Sequence, residues 1–455
     1  MRSYVVRVIH RTEGAALSFA DLDANPASVL ERKLGEDEVE DLIRRVKTGD
    51  SWDSSRIEAI GDALYRWLDG PEHWLEPILA DRSDVALLLD TDGAFRGLPW
   101  ELLHAKTFLC AHPHRLVTPV RRLSGAGKQP PPDACNRPLR VLFMASSPEA
   151  VQPVLDFEQE EARILEATKA QPIELIVEES GTLRGLEERL RDFGAGHFDV
   201  VHLSGHAGRV NGRACFFFED DRGGADPIFA DKLARAFEAA WPRLLFLSGC
   251  STGQAFEQGD LPSLCEALVA AGAPAVLGWA LPVGDDAASL AAEALYDRLG
   301  SGGRIDEAVA IARRKLFEER STHWPLLRLY ADATPLDGLV TPKKTPGRAK
   351  RHIREARSEL IQAGSLMEVC HRSAFIGRRR SIQRCLRVLL GREGDEGHAE
   401  GVLLHGLGGL GKSSLAARLC DRMPEHRRVV CVGRLDEIQL LGALSKHYPA
   451  AIKLL

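Results

Sequence analysis

The chain has 455 residues, 44% hydrophobic and 27% charged, which predicts two or three soluble domains with room for buried cores. Its formal net charge of −6 supplies no basic domain, so nucleic acid is excluded as a partner. The opening MRSYVVRVIHRTEG is too polar for a signal peptide, and nine cysteines without a Cys-x-x-Cys pair point to a reducing, cytoplasmic location rather than a disulfide framework.

In chain order, residues 1–95 read as a mixed α/β opening, with helical periodicity at 38–46 and 57–67. LPWELLH at 98–104 is the next landmark, and the proline-rich stretch 124–138 reads as a surface loop. From Arg140 strands and helices alternate. Strands are expected at 141–145, 173–177, 198–204, 216–219, 244–247, 275–281 and 327–330. Helices are expected at 158–168, 183–193, 230–240, 261–271, 287–299 and 304–317. This alternation predicts an α/β fold, a mostly parallel sheet with helices on both faces. The apolar run 261–284 holds one charge, Glu266, and is long enough to span a bilayer. Gly272 and Pro274 interrupt it, so it reads as a buried helix followed by a buried strand, with no membrane partner. The basic stretch 341–357 reads as a solvated linker running into a helix rather than a patch for an anionic partner.

Two apolar strands end in glycine-containing turns that carry reactive side chains: VVHLSGHAG at 200–208 and LLFLSGCSTG at 244–253. In open parallel sheets, sites form outside the carboxyl ends of the strands. His206 and Cys250 can therefore meet if their strands are neighbours. A thiol is mostly protonated at neutral pH and needs a nearby imidazole to become a nucleophile. The glycines allow a peptide to approach the backbone, and the backbone N–H groups of Ala207 and Cys250 are candidates for an oxyanion hole. By residues alone, a lone cysteine at a strand end also fits a small buried hydrophobe. His202 lies within its strand and reads as a satisfied interior histidine.

The region resembles the CHAT family, caspase-like proteases of the clan that includes caspases and separase. The matching segments are LPWELLH, DVVHLSGHAG at 199–208, LFLSGCSTG at 245–253 and ALVAAGAPAVLGWALPVGDDAAS at 267–289. The resemblance implies His206 as the general base and Cys250 as the nucleophile of a cysteine endopeptidase that needs no metal or cofactor. One departure is Ala207, where the family usually has glycine. In separase-like relatives an acidic residue near Asp285 and Asp286 binds a basic P1 side chain, which implies cleavage after Arg or Lys. Either aspartate also suits the N-terminus of the helix that follows.

Gly406-Leu407-Gly408-Gly409-Leu410-Gly411-Lys412-Ser413 fits the phosphate-binding loop G-x-x-x-x-G-K-[ST]. The run 402–404 reads as the preceding strand, 414–422 as the following helix, and 429–432 as the next strand. Gly406 and Gly411 shape a cradle of backbone N–H groups, Lys412 reaches the phosphates and Ser413 holds magnesium. With Phe375-Ile376-Gly377-Arg378 upstream, this resembles the opening of a STAND-type signalling NTPase, which implies ATP and magnesium for the complete domain. No later strand ends in acidic residues, so the domain reads as truncated and no NTPase turnover is expected.

The expected layout is an N-terminal α/β part at 1–130, a caspase-like domain at 138–335, a basic linker or helix at 336–372 and an NTPase fragment at 373–455. The expected function is a protease acting on a partner protein and switched by the NTPase part. A sensor or activator would work through further C-terminal domains, and the resemblance places such proteins in bacterial defence. The rival expectation is a signalling NTPase with an inactive CHAT-like scaffold. An acyl-transfer enzyme would use the same His206 and Cys250.

Overall fold

The structure is a computed structural model that describes residues 1–23, 29–46, 54–112, 114–123, 133–148, 151, 157–169, 171–249, 260–348, 357–359, 368–372, 375–391, 399, 401–423, 425–426, 428–431, 433 and 436–447. It forms two units, Met1–Asp220 with Gly224–His352, and Asp221–Gly223 with Ile353–Leu455.

The first unit opens with β1 (Arg2–Arg11), β2 (Gly14–Asp21) and β3 (Leu30–Leu34), then α1 (Glu36–Val46), α2 (Ser54–Asp69) and α3 (Leu75–Ala80). β4 (Val85–Thr91), the short pair β5 (His104–Ala105) and β6 (Thr107–Phe108), and β7 (Val117–Arg122) follow. Next come β8 (Leu139–Ala145), α4 (Phe157–Thr168), β9 (Ile173–Glu178), α5 (Leu183–Phe193), β10 (Val200–Val210), β11 (Arg213–Glu219), β12 (Ala225–Phe229) and α6 (Ala230–Ala236). The unit closes with β13 (Leu244–Gly249), α7 (Asp260–Ala270), β14 (Ala275–Trp279), α8 (Asp285–Gly300), α9 (Ile305–Glu318) and β15 (Leu327–Ala331).

Strands β9, β8, β10, β13 and β14 lie side by side and parallel. β15 joins antiparallel, and the sheet continues through β7, β4 and β1 to β2 and β3, thirteen strands in all. The central strands are near-continuous apolar runs because both their faces are covered. α4 packs with α8 and α8 with α9, while α5, α6 and α7 pack together. Right-handed crossovers put the first group on one face and the second on the other. The expected mostly parallel α/β sheet with helices on both faces is the observed fold.

α5 shows how local chemistry fixes an element. Thr182 caps it, Oγ1 accepting from Gly185 N at 3.0 Å, and Gly194 at φ 89° stops it. LPWELLH is structural: Glu101 is buried among three arginines. Arg121 donates to its carboxylate at 3.0 and 2.7 Å, and Arg328 and Arg313 approach it at 3.5 and 3.9 Å. Burial alone would raise the Glu101 pKa, but the arginines outweigh it and hold the carboxyl below its usual range.

The first unit takes in more of the chain than the expected caspase-like domain: Leu336, Leu339 and Val340 are in its core, and Val340 bridges Cys135. Where a linker running into a helix is expected, β16 (Arg357–Glu359) pairs antiparallel with β17 (Glu368–Cys370). The second unit continues with α10 (Arg379–Leu390), α11 (Lys412–Asp421) and α12 (Glu437–His447). Phe375, Ile382, Leu386, Leu415 and Leu419 form its small core. The strands expected at 402–404 and 429–432 are not formed among the described residues. Leu403 is 84% exposed, and an extended run without a pairing neighbour has no ladder to join.

Candidate functional site

β8 is followed by α4 on one face of the sheet, whereas β10 is followed by α6 on the other. The carboxyl ends of β8 and β10 are therefore the point where the winding reverses, the place where open α/β sheets carry their sites. β10 pairs with β8 as far as Ser204↔Ala145, and Ser146 N then donates to Ser204 O at 2.7 Å. From His206 onward β10 turns to β11 instead, with His206 opposite Phe217 and Ala207 opposite Phe216. His206 thus stands where the strand leaves the parallel core, and its side chain is buried.

On the other side of β10, the ladder to β13 ends at Gly205↔Gly249. The next residue on β10 is His206, and the next in the chain after Gly249 is Cys250. Cys250 itself lies outside the described residues. The next cysteine, Cys265, is fully buried and its thiol is pushed up by that burial, which disqualifies it as a nucleophile. Gly205 is required for a reason other than substrate approach: a Cβ there would meet the Phe216 ring at 2.7 Å and Ser146 O at 2.9 Å. Ala207 is buried within the β10–β11 ladder. The rim is held by carboxylates: Ser147 N donates to Glu219 at 2.9 Å, and Ser180 N and Gly181 N donate to Glu178 at 2.9 and 3.0 Å.

His202 sits deeper on the same face as His206. It stacks on Phe246 with ring centroids 4.2 Å apart, and its Nδ1 is 2.9 Å from Tyr296 Oη. Burial pushes its pKa down to about 3, so it is a neutral interior residue. The Tyr296 contact also shows that α8 covers this face. From Tyr296 back to Asp285 the helix rises ~16 Å, and from His202 to His206 the strand rises ~13 Å. Asp285 and His206 therefore lie at similar heights at the carboxyl edge.

Asp285 and Asp286 occupy the first turn of α8, with Gly284 as the N-cap and no side-chain cap bond. The expected capping role thus falls to Gly284, and the two carboxylates favour the helix through its dipole. Both are exposed; Asp286 pairs with Arg163 of α4 at 2.8 Å. They border a groove of about 810 Å³ that also takes in Leu290, Arg320 and His323. Arg163 is a partner the sequence does not announce, because it is brought in from another helix.

In the second unit, Gly406, Gly409 and Gly411 all have positive φ, at 140°, 78° and 75°, and α11 starts at Lys412. Lys412 Nζ donates to Gly406 O at 3.0 Å and Leu407 O at 2.7 Å, so the ammonium lies across the loop. Ser413 follows Lys412 in the first turn of α11, and Ser414 Oγ accepts from Cys370 N at 3.0 Å. Among the described residues no cluster of His, Cys, Asp or Glu is placed to hold a metal, and no helix is long and apolar enough to cross a membrane.

Residues 58–361 match the CHAT domain as a family. No curated protein matches the sequence. Among solved structures, separase of Saccharomyces cerevisiae in its complex with securin aligns at 15% identity and a TM-score of 0.32, over 70% of this chain and 21% of its own. The chain thus spans about a fifth of the separase chain. The Arg specific cysteine proteinase gingipain R aligns at 8% identity and a TM-score of 0.36, over 66% of this chain and 76% of its own. The complex of Porphyromonas gingivalis RgpB pro- and mature domains aligns at 10% identity and a TM-score of 0.38, over 66% and 77%.

Proposed function

The chain belongs to the CHAT domain family, and from that premise we propose that it is a cysteine endopeptidase with Cys250 as nucleophile and His206 as general base. The observation that carries this reading is the position of His206: it is buried at the sheet's winding reversal, one residue past a ladder whose facing strand ends one residue before Cys250. In this mechanism His206 takes the thiol proton and Cys250 Sγ attacks the scissile carbonyl. The backbone N–H groups of Ala207 and Cys250 hold the oxyanion. His206 then passes its proton to the departing amine, and water, activated by the same imidazole, hydrolyses the thioester.

Asp285 is the residue for a basic P1 side chain in this reading, because Asp286 already faces Arg163. In this reading the second unit is of the STAND NTPase type, binds ATP and magnesium through the loop 406–413 and switches the peptidase, in the cytoplasm, as part of bacterial defence. The run of positive-φ glycines ahead of α11, with Lys412 across it, supports phosphate binding. The substrate is a partner protein.

A peptidyl acyloxymethyl ketone tests the nucleophile and the pocket together. A reagent with P1 Arg should add covalently to the peptide containing Cys250, seen by mass spectrometry, and one with P1 Asp should not. Labelling of another cysteine, or equal labelling of Cys250→Ala, would sink the assignment.

A further inference from the structure

Beneath the proposed His206–Cys250 pair, and resting on that reading, the sheet carries a layer that the chemistry above does not use. Four buried polar atoms on or against one face have no hydrogen-bond partner among the described residues: His202 Nε2, Ser248 Oγ, Trp279 Nε1 and Ser289 Oγ. Ser248 is the register partner of Ser204, and the β13–β14 register, Leu247↔Gly278, sets Trp279 level with both. His202 lies one step deeper on the same face. Ser289 is on α8, about two turns before Tyr296, which sets it between that layer and the height of His206.

Each buried polar group without a partner costs about 1–3 kcal/mol, so four of them stacked on or against one strand face call for a common cause. Trp279 Nε1 can only donate, whereas hydroxyls and a neutral imidazole nitrogen donate or accept. That mixture suits water, which makes about three bonds to such groups. Leu-Ser-Gly precedes both His206 and Cys250, so each serine sits two residues before a member of the pair. We propose that Ser248, Trp279, His202 and Ser289 hold ordered water directly under the pair. Ser248 is the positioning residue, fixing the His206 imidazole through that water. Tyr296 sets the His202 ring from below.

The test is the pH dependence of Cys250 alkylation by iodoacetamide, read by mass spectrometry in the full chain. His206→Ala serves as the reference for a broken pair. Ser248→Ala should move the titration toward that of His206→Ala by about one pH unit, roughly tenfold in rate at the lower pH, with an unchanged thermal midpoint. Ser248→Thr, which keeps the hydroxyl, should restore it. Trp279→Phe removes one donor, keeps a ring and should shift the profile in the same direction. Wild-type profiles for Ser248→Ala and Trp279→Phe, with an altered one for His206→Ala, would overturn the positioning role alone. A wild-type profile for His206→Ala would remove the pair itself, and the inference with it.

Discussion

His202 and His206 share a strand face, and the enclosure of His202 by the Phe143, Phe246 and Tyr296 rings can be measured as stability. The His202 pKa is lowered to about 3 by burial, against about 6.5 in an unfolded chain. As pH falls below about 6.5 the unfolded state takes up a proton that the folded state refuses, so stability present at neutral pH is lost down to about pH 3. At pH 5 the loss from this one group is about 2 kcal/mol. Urea unfolding at pH 7.5 and pH 5.0 should show that difference in the wild type and a smaller one in His202→Phe; equal pH dependence in both would place the effect elsewhere. The two aspartates separate in the same way. Asp285→Asn should lower cleavage after Arg by at least about tenfold, and Asp286→Asn much less, since Arg163 already engages Asp286.

At the scale of elements, Glu101 ties a 3₁₀ turn (Trp100–Leu102) to β7, α9 and β15. Glu101→Ala leaves three buried guanidinium groups without their carboxylate and should cost about 3–5 kcal/mol by urea unfolding. A cost below about 1 kcal/mol would mean that the arginines are solvated. Gly205→Ala drives a methyl into the Phe216 ring and a carbonyl oxygen and should cost about 1–3 kcal/mol; Phe216→Leu should recover part of it. The alternating strands and helices from Arg140 onward were legible because parallel strands buried on both faces leave unbroken apolar runs. The opening hairpin β1–β2 was not, since Arg2, Arg7 and His10 interrupt its apolar pattern. The expected strand at 402–404 failed for the opposite reason: it has the composition, but no described neighbour pairs with it.

At the scale of the whole molecule, the sequence placed His206 and Cys250 at strand ends. That β10 and β13 are neighbours, and that their carboxyl ends stand beside the winding reversal, follows only from the sheet order. Arg163 and the Ser248–Trp279 layer were hidden because they join segments far apart in the chain. The second unit has a small core and a glycine-rich loop. A fluorescent ATP analogue should bind the chain in the presence of magnesium and lose binding in Lys412→Ala. Binding that survives Lys412→Ala would remove the phosphate-loop reading. The most direct measurement is cleavage of blocked peptides carrying P1 Arg, Lys, Asp or Leu by the wild type and by Cys250→Ala. Cleavage after Arg and Lys that disappears in Cys250→Ala is the expected result. Cleavage that persists in Cys250→Ala, or none by a wild type supplied with ATP and magnesium, would contradict a cysteine endopeptidase.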